Sequence, residues 1–166
     1  MYRIGNGFDA HVFAKDKKLV LGGIEIDYEY GLSGHSDADV LSHAICDALL
    51  GAVNVGDLGK HFPDSDIKYK NISSLELLKK ASEILSQSLY EIVNIDSTVI
   101  CEKPKLSKYV NEIQDSISVT LNISSQQISV KATTTDKLGF TGREEGIAAQ
   151  AVVLIKKMDE KSIKKE

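Results

Sequence analysis

Apolar residues at positions 40, 41, 44, 45, 48 and 49 recur at helical spacing, so the chain from Ser36 to about Gly51 reads as an amphipathic helix. Its opening is Ser36-Asp37-Ala38-Asp39, with Ser36 as cap and Asp39 three residues on, placed to reach back as in a capping box. Ser73-Ser74-Leu75-Glu76 repeats that signal, and Leu77, Leu78, Ala81, Ile84 and Leu85 carry a second helix to about Leu89. Leu106, Val110, Ile113, Ile117 and Leu121 mark a third. Strand patterns fill the remainder. Residues 2–13 read as a strand that bends at Gly5 and Gly7. Leu19-Val20-Leu21 and Ile24-Glu25-Ile26 flank Gly22-Gly23, a hairpin signal. Residues 92–101 are rich in β-branched side chains, Ile128 to Ala132 forms a short strand, and a loop with Gly139, Gly142 and Gly146 leads to a last strand at 147–156. Residues 52–72 are irregular. The order predicts an α/β (α+β) fold: a single mixed β-sheet with helices packed on one face. Residues 1–157 are expected to form one domain, and 158–166 a charged C-terminal tail.

Composition narrows the class. The chain has 166 residues, 42% hydrophobic and 27% charged, which suits a globular domain and excludes a disordered chain, a collagen or a coiled coil. Acids outnumber bases 24 to 20, so no global charge favours nucleic acid or an anionic membrane, and neither partner is expected. No stretch approaches the roughly 20 apolar residues of a membrane span. The N-terminus Met1-Tyr2-Arg3-Ile4-Gly5 has no signal or transit character. Cys46 and Cys101 sit in apolar segments and read as buried hydrophobes of a reducing compartment. Cytoplasm is the expected location, with a processed plastid-type organelle form as the alternative.

Three of the four histidines lie beside aspartates. In an extended segment Asp9 and His11 project to one side. Asp39, His43 and Asp47 stack along one helical face. Asp9, His11 and His43 can make an O/N/N ligand set with a fourth tetrahedral position open, as in catalytic zinc sites. Solvated or hydrogen-bonded histidines have the same spacing, which does not separate the two readings. His35-Ser36-Asp37, at the expected helix N-terminus, offers a phosphate cradle, and plain capping by Ser36 explains it equally. The segment from Gly56 to Asp64 has the turn residues and charges of a functional loop, or of an ordinary surface one. From Lys131 to Arg143 a run of hydroxyls, an acid, a lysine, two glycines and an arginine can bind phosphates and a hard divalent cation, or form a polar strand end and glycine turn.

Taken together these segments resemble the 2-C-methyl-D-erythritol 2,4-cyclodiphosphate synthase family. The matching stretches are Arg3-Ile4-Gly5 with Gly7-Phe8-Asp9-Ala10-His11, Gly34-His35-Ser36-Asp37-Ala38-Asp39-Val40 with His43, and Asp47 to Ala52. They continue through Gly56-Asp57-Leu58-Gly59, Phe62-Pro63-Asp64 and Val130 to Gly146, in order over about residues 2–156. The resemblance implies conversion of 4-diphosphocytidyl-2-C-methyl-D-erythritol 2-phosphate to the cyclic diphosphate and CMP, a lyase step of the non-mevalonate isoprenoid pathway. It also implies a role for each matching position. Asp9, His11 and His43 match ligands of Zn2+ or another divalent transition metal. Asp136 matches the carboxylate that binds Mg2+ or Mn2+ between the α- and β-phosphates. His35 and Ser36 match residues holding phosphate and methylerythritol, and Asp57, Gly59 and Asp64 match the loop around the methylerythritol. Cys101, Pro104, Lys105 and Leu106, with Ala132, Thr133 and Thr134, match the cytidine pocket and α-phosphate contacts. Thr134, His35 and Asp57 are the candidate catalytic groups, Thr134 beside the pentavalent phosphorus.

Family members are homotrimers with active sites between subunits, so the resemblance implies the same assembly. Phe140 and Arg143 match the lining of an axial cavity able to hold an isoprenoid diphosphate, while a salt bridge is the alternative use of Arg143. Two departures stand out: Asp136 replaces the family's usual Glu, one methylene longer, and Cys101 replaces a usual small alanine. Two rivals use the same residues differently. A zinc phosphohydrolase would employ water as the attacker, and a non-catalytic isoprenoid-diphosphate binder would release no CMP.

Overall fold

Alternation along Tyr2–Ala14 makes this segment strand β1, and the computed structural model, which describes residues 1–159, builds its sheet around it. Of the expected tail at 158–166, the part from residue 160 lies outside the described residues. After β1 come β2 (Leu19–Leu21), β3 (Ile24–Ile26) and β4 (Gly31–Leu32), then α1 (Val40–Ala52), α2 (Leu58–His61) and α3 (Ser74–Gln87). β5 (Tyr90–Ile100), α4 (Val110–Leu121), β6 (Ile128–Thr133), α5 (Gly139–Gly142) and β7 (Gly146–Lys157) complete the order.

The main sheet has five strands in the order β4-β1-β7-β5-β6. Only β5 and β6 pair in parallel, and α4 supplies the crossover that a parallel pair requires. β1 and β7 run antiparallel over eleven residue pairs, with Asp9 opposite Ala149 and His11 opposite Ile147. The sheet is mixed, as expected, but it is not the only one. β2 and β3 form a separate two-stranded ribbon, turned by Gly22 and Gly23 at φ +57 and +77, the left-handed pair that a tight hairpin demands.

α1 lies on β1 and β7, α3 covers α1, and α4 packs on α3 and β6. Leu41, Ile45, Leu49, Leu78, Ile95 and Val153 fill the space between helices and sheet. α1 does not open at Ser36. Its cap is Asp39, fully buried, whose carboxylate accepts from the Ser42 backbone N–H at 3.1 Å and from the Ser42 hydroxyl at 2.8 Å. The same carboxylate accepts from Gly23 N–H at 2.8 Å, which ties the hairpin turn to the helix start. A buried carboxylate with three donors outcompetes the half-buried Ser36 as cap, and Ala38 at φ +59 turns the chain into it. The segment 52–72, expected to be irregular, contains α2 and a short 3₁₀ turn at Ile67–Tyr69, each capped by an aspartate.

Gly5 and Gly7 have a different task from the expected bend. A Cβ on Gly5 would collide with the carbonyl oxygen of Ala48, and one on Gly7 with that of Ala44. Both glycines face α1, so the helix backbone rests on the strand backbone. The replacement Gly7→Ala must push α1 away from β1. It is expected to cost about 1–3 kcal/mol, lowering the melting temperature by at least ~3 °C in a thermal-unfolding measurement. A loss below about 1 °C would show that this contact is not tight.

Candidate functional site

On β1 the residues facing α1 are the odd ones, so Asp9 and His11 share the face of Gly5 and Gly7. His43, one residue before Ala44, emerges from α1 directly over them. Asp9 Oδ2 lies 2.8 Å from His11 Nε2 and 3.0 Å from His43 Nδ1, and the two nitrogens are 3.1 Å apart. These three residues form the only potential metal-binding cluster of this kind among the described residues. A tetrahedral ion with bonds of about 2.0–2.2 Å sets its ligand atoms roughly 3.3–3.5 Å apart, so the triangle needs to open by only a few tenths of an ångström.

The chemistry of the donors agrees. The Ser33 carbonyl, 2.7 Å from His11 Nδ1, can only accept, so Nδ1 carries a hydrogen, and in the neutral ring Nε2 carries the lone pair. That lone pair points at a carboxylate oxygen, an arrangement that is repulsive until a positive charge lies between them. Burial pushes the Asp9 carboxyl up, but its bonds to His11 and His43 outweigh this and hold it well below the usual carboxylate range. Burial pushes His11 down, and Asp9 more than reverses it, so the imidazole titrates above its ordinary value. Both directions express the same demand for a cation at this point.

A cavity of about 180 Å³ opens over the triad, lined also by Gly34, His35, Ser36, Phe62, Asp64, Tyr69 and Leu77. His35 Nε2 is buried with no hydrogen-bond partner. A buried ring nitrogen without a partner calls for an explanation, and His35 is one of the residues that line this cavity. The hydroxyl of Ser36 is not a helix cap, since it lies 3.0 Å from His43 Nε2. The helix-end cradle expected at His35-Ser36-Asp37 is absent because α1 begins later, at Val40. Of the expected polar row on α1, only His43 joins the site. Asp39 caps the helix, and Asp47 accepts from Leu58 N–H at 2.7 Å. Asp57 caps α2 through Lys60 N–H at 2.9 Å, and Asp57 and Gly59 are exposed and do not line the cavity, whereas Asp64 does.

A second cavity, about 480 Å³, is lined by Cys101, Pro104, Lys105, Leu106, Ala132, Thr133 and Thr134, together with Ser107 and Val110. It sits where β5 and β6 end side by side, a parallel pair whose carboxyl ends open into a crevice. It shares no lining residue with the metal cavity. Glu102, missed in the sequence, anchors the turn that follows Thr134. Its carboxylate accepts from Thr135 N–H at 3.3 Å, Lys137 N–H at 3.2 Å and Lys137 Nζ at 3.1 Å, and the Lys137 bonds hold its carboxyl below the ordinary value. Between those anchors Asp136 and Lys137 adopt φ +51 and +68, left-handed values uncommon for residues other than glycine. Asp136 is exposed at the tip of this turn. Phe140 lines a third cavity of about 300 Å³ with Ala10, His11, Val12 and Glu145, and Arg143 forms a two-pronged ion pair with Glu145 at 2.8 and 3.1 Å.

A profile of the YgbB family matches residues 2–156. The chain belongs to the YgbB family. A relative from Geobacillus sp. (strain WCH70), named 2-C-methyl-D-erythritol 2,4-cyclodiphosphate synthase, is 54% identical over 157 residues, covering 95% of this chain and 99% of its own. Among solved structures, the bifunctional IspDF from Campylobacter jejuni matches with TM-score 0.93 and 45% identity over 96% of this chain, which spans 43% of that protein. The IspF of Plasmodium falciparum in complex with CDP matches with TM-score 0.83 and 35% identity, covering 95% of this YgbB chain and 97% of its own.

Cys101 and Cys46 are both buried and free. Burial pushes the Cys101 thiol up to about 11 and the Cys46 thiol well above its usual value. At neutral pH neither is therefore expected to react with a disulfide reagent at the rate of an open thiol, and both should react after denaturation. A fast-reacting thiol in the native protein would contradict the burial of Cys46 within α1 or of Cys101 just beyond β5.

Proposed function

We infer that this chain catalyses the conversion of 4-diphosphocytidyl-2-C-methyl-D-erythritol 2-phosphate to 2-C-methyl-D-erythritol 2,4-cyclodiphosphate and CMP, a lyase step in isoprenoid synthesis. The observation that carries this reading is the Asp9–His11–His43 triangle facing a cavity that also holds the unpartnered Nε2 of His35. In the reaction, an oxygen of the 2-phosphate forms a bond to the β-phosphorus. The bond from that phosphorus to the oxygen bridging to the α-phosphorus breaks, and CMP departs with that oxygen. The nucleophile is already an anion, so no protein base is required. The barrier is repulsion between anions and the cost of folding the substrate back on itself.

When bound, Zn2+ at Asp9, His11 and His43 and Mg2+ or Mn2+ at Asp136 would supply Lewis acidity and charge neutralisation on the phosphates. The chain's own groups do the remaining work. His35 Nε2 and the Ser36 hydroxyl are placed to hold phosphate and methylerythritol oxygens, and Asp64, with Asp57 and Gly59 nearby in sequence, closes the methylerythritol side. Cys101, Pro104, Lys105, Leu106 and Ala132 form a half-apolar slot suited to a pyrimidine ring. The Thr133 and Thr134 hydroxyls lie at its mouth for the α-phosphate, with Thr134 beside the reacting phosphorus. Holding both ends of one substrate brings nucleophile and phosphorus together, which in favourable cases is worth roughly 7–11 kcal/mol. Asp136, one methylene shorter than the family's usual Glu, would hold the second ion with the same carboxylate charge but a shorter reach. Residues 1–157 act as one unit in this reading, and the cytoplasm is its location. No helix among the described residues is long and apolar enough to cross a membrane.

The outer face of β1 supports assembly as a homotrimer. Tyr2, Ile4, Phe8 and Val12 project there at 65%, 71%, 56% and 60% exposure, flanked by Val152 on β7. A row of large apolar side chains this open asks for cover by other copies of the chain. In a trimer the metal cavity of one copy would meet the cytidine slot of its neighbour. Phe140 would line the threefold cavity, and Arg143, released from Glu145, would bind an isoprenoid diphosphate there.

Two experiments test these readings. Phosphorus NMR of the product is expected to show the cyclic diphosphate with CMP, and a linear diphosphate would instead identify a phosphohydrolase. In the same assay His11→Ala should lose bound zinc and drop turnover more than about 100-fold while still binding CMP. Sedimentation or light scattering should give a mass near three times 18.1 kDa, and a monomer at micromolar concentration would refute the trimer.

A further inference from the structure

Ser74 opens α3, is fully buried, and places its hydroxyl oxygen 3.0 Å from Nε2 of His43. A serine hydroxyl has one hydrogen, and here it is committed elsewhere. Ser74 Oγ donates to Asp37 Oδ1, while the Ser74 backbone N–H donates to Asp37 Oδ2 at 3.0 Å. A carboxylate only accepts, so the Ser74 oxygen has nothing but lone pairs to offer the imidazole. His43 Nε2 must then be the donor. Ser36 Oγ, 3.0 Å from the same nitrogen and 3.3 Å from Ser74 Oγ, cannot reverse this. Were Ser36 to donate to Nε2, the ring and Ser74 would face each other lone pair to lone pair at 3.0 Å.

We propose that Asp37 and Ser74 are positioning residues that hold His43 in the tautomer with hydrogen on Nε2, leaving the Nδ1 lone pair free for a divalent ion. The proposal rests on the reading of Asp9, His11 and His43 as metal ligands. The relay runs in one direction: His43 donates to Ser74, and Ser74 donates to Asp37. His11 reaches the same end through the Ser33 carbonyl, a backbone group that no substitution can remove. His43 depends on side chains from two other segments, so the relay makes α3 a part of the metal site although it contributes no ligand. Orienting groups of this kind commonly alter metal affinity by about 10–100-fold.

The replacement Asp37→Asn removes an acceptor from the relay. Asp37 Oδ1 accepts from Ser74 Oγ and from the Asp39 backbone N–H at 3.3 Å, and Oδ2 accepts from the Ser74 backbone N–H. An amide nitrogen in either place meets a donor, and where it faces Ser74 Oγ the serine hydrogen turns to His43 Nε2 and drives the ring hydrogen onto Nδ1, against metal binding. Zinc affinity would be measured by competition with a chromophoric chelator on the wild type, Ser74→Ala and Asp37→Asn, alongside the melting temperature of each metal-free protein. Both variants are expected to bind zinc about 10–100-fold more weakly, with CMP affinity unchanged. Variants that bind zinc within about twofold of the wild type would overturn the relay, whereas a wild type that binds no zinc would overturn the ligand reading itself. A further measurement needs no variant. In the zinc-loaded wild type, proton–nitrogen NMR should show a slowly exchanging hydrogen on His43 Nε2, and a rapidly exchanging one would refute the proposal.

Discussion

With Gly5 and Gly7 turned toward the carbonyls of Ala48 and Ala44, the backbone of α1 lies against the backbone of β1 with no side chain between them. That contact sets the distance between strand and helix and also their register. Gly7 precedes Asp9 by two positions on the same face of β1, and Ala44 directly follows His43 on α1. Once the two glycines are seated, the carboxylate and both imidazoles have little choice of where to meet. A side chain in either place would lift the helix by more than the few tenths of an ångström that a metal triangle tolerates. The small residues of this layer therefore belong to the chemistry as much as the histidines do.

The same layer explains the electrostatics. α1 is buried on nearly every side, so His43 and Asp9 meet where water screens poorly and charge interactions are strong. Each group that enters such a place needs a partner. Asp39 has Ser42 and Gly23, Asp47 has Leu58, and Asp37 has Ser74. The inward atoms of Asp9, His11 and His43 have only one another, and His35 Nε2 has nothing. Acids with satisfied oxygens build the walls, while Asp9, His11, His43 and His35 hold the atoms that the proposed reading assigns to an ion and an anion. The distinction follows from hydrogen-bond accounting rather than from residue type, since Asp37, Asp39 and Asp47 look as chemically eligible as Asp9.

That accounting also marks what could be read before any coordinates. Hairpin β2–β3, the three long helices and the strand bearing Asp9 and His11 were legible because each rests on local periodicity or local turn chemistry. The juxtaposition of Asp9 with His11 follows from alternation along one strand. The start of α1 was misread because Ser36 and Asp39 both satisfy the capping pattern, and the choice between them depends on a hairpin turn sixteen residues upstream, at Gly23. Asp39 and Asp47 share a helical face with His43, but spacing cannot show that their oxygens are already engaged. Ser74 and Glu102 were invisible as parts of a site because their partners, His43 and the turn at 135–137, come from distant segments. Only the doubled serine at the head of α3 hinted that one of the two had a task other than capping.

The three cavities carry the last step. The metal cavity and the slot at the ends of β5 and β6 have no residue in common, yet the substrate of the proposed reaction must occupy both kinds of surface at once. In the proposed trimer the slot of a neighbouring copy would meet the metal cavity, and the exposed apolar face of β1 is where such a copy would sit. His11 then occupies an unusual place, because it lines both the metal cavity and the cavity formed by Phe140 and Glu145. Its ring is held by the Ser33 carbonyl on the metal side, while its neighbours Ala10 and Val12 point to the opposite face of the same strand. Packing on that outer face therefore bears directly on the strand that carries two of the three candidate ligands. In the proposed trimer, assembly and metal geometry are two consequences of how β1 is clamped between α1 on one side and a second copy on the other.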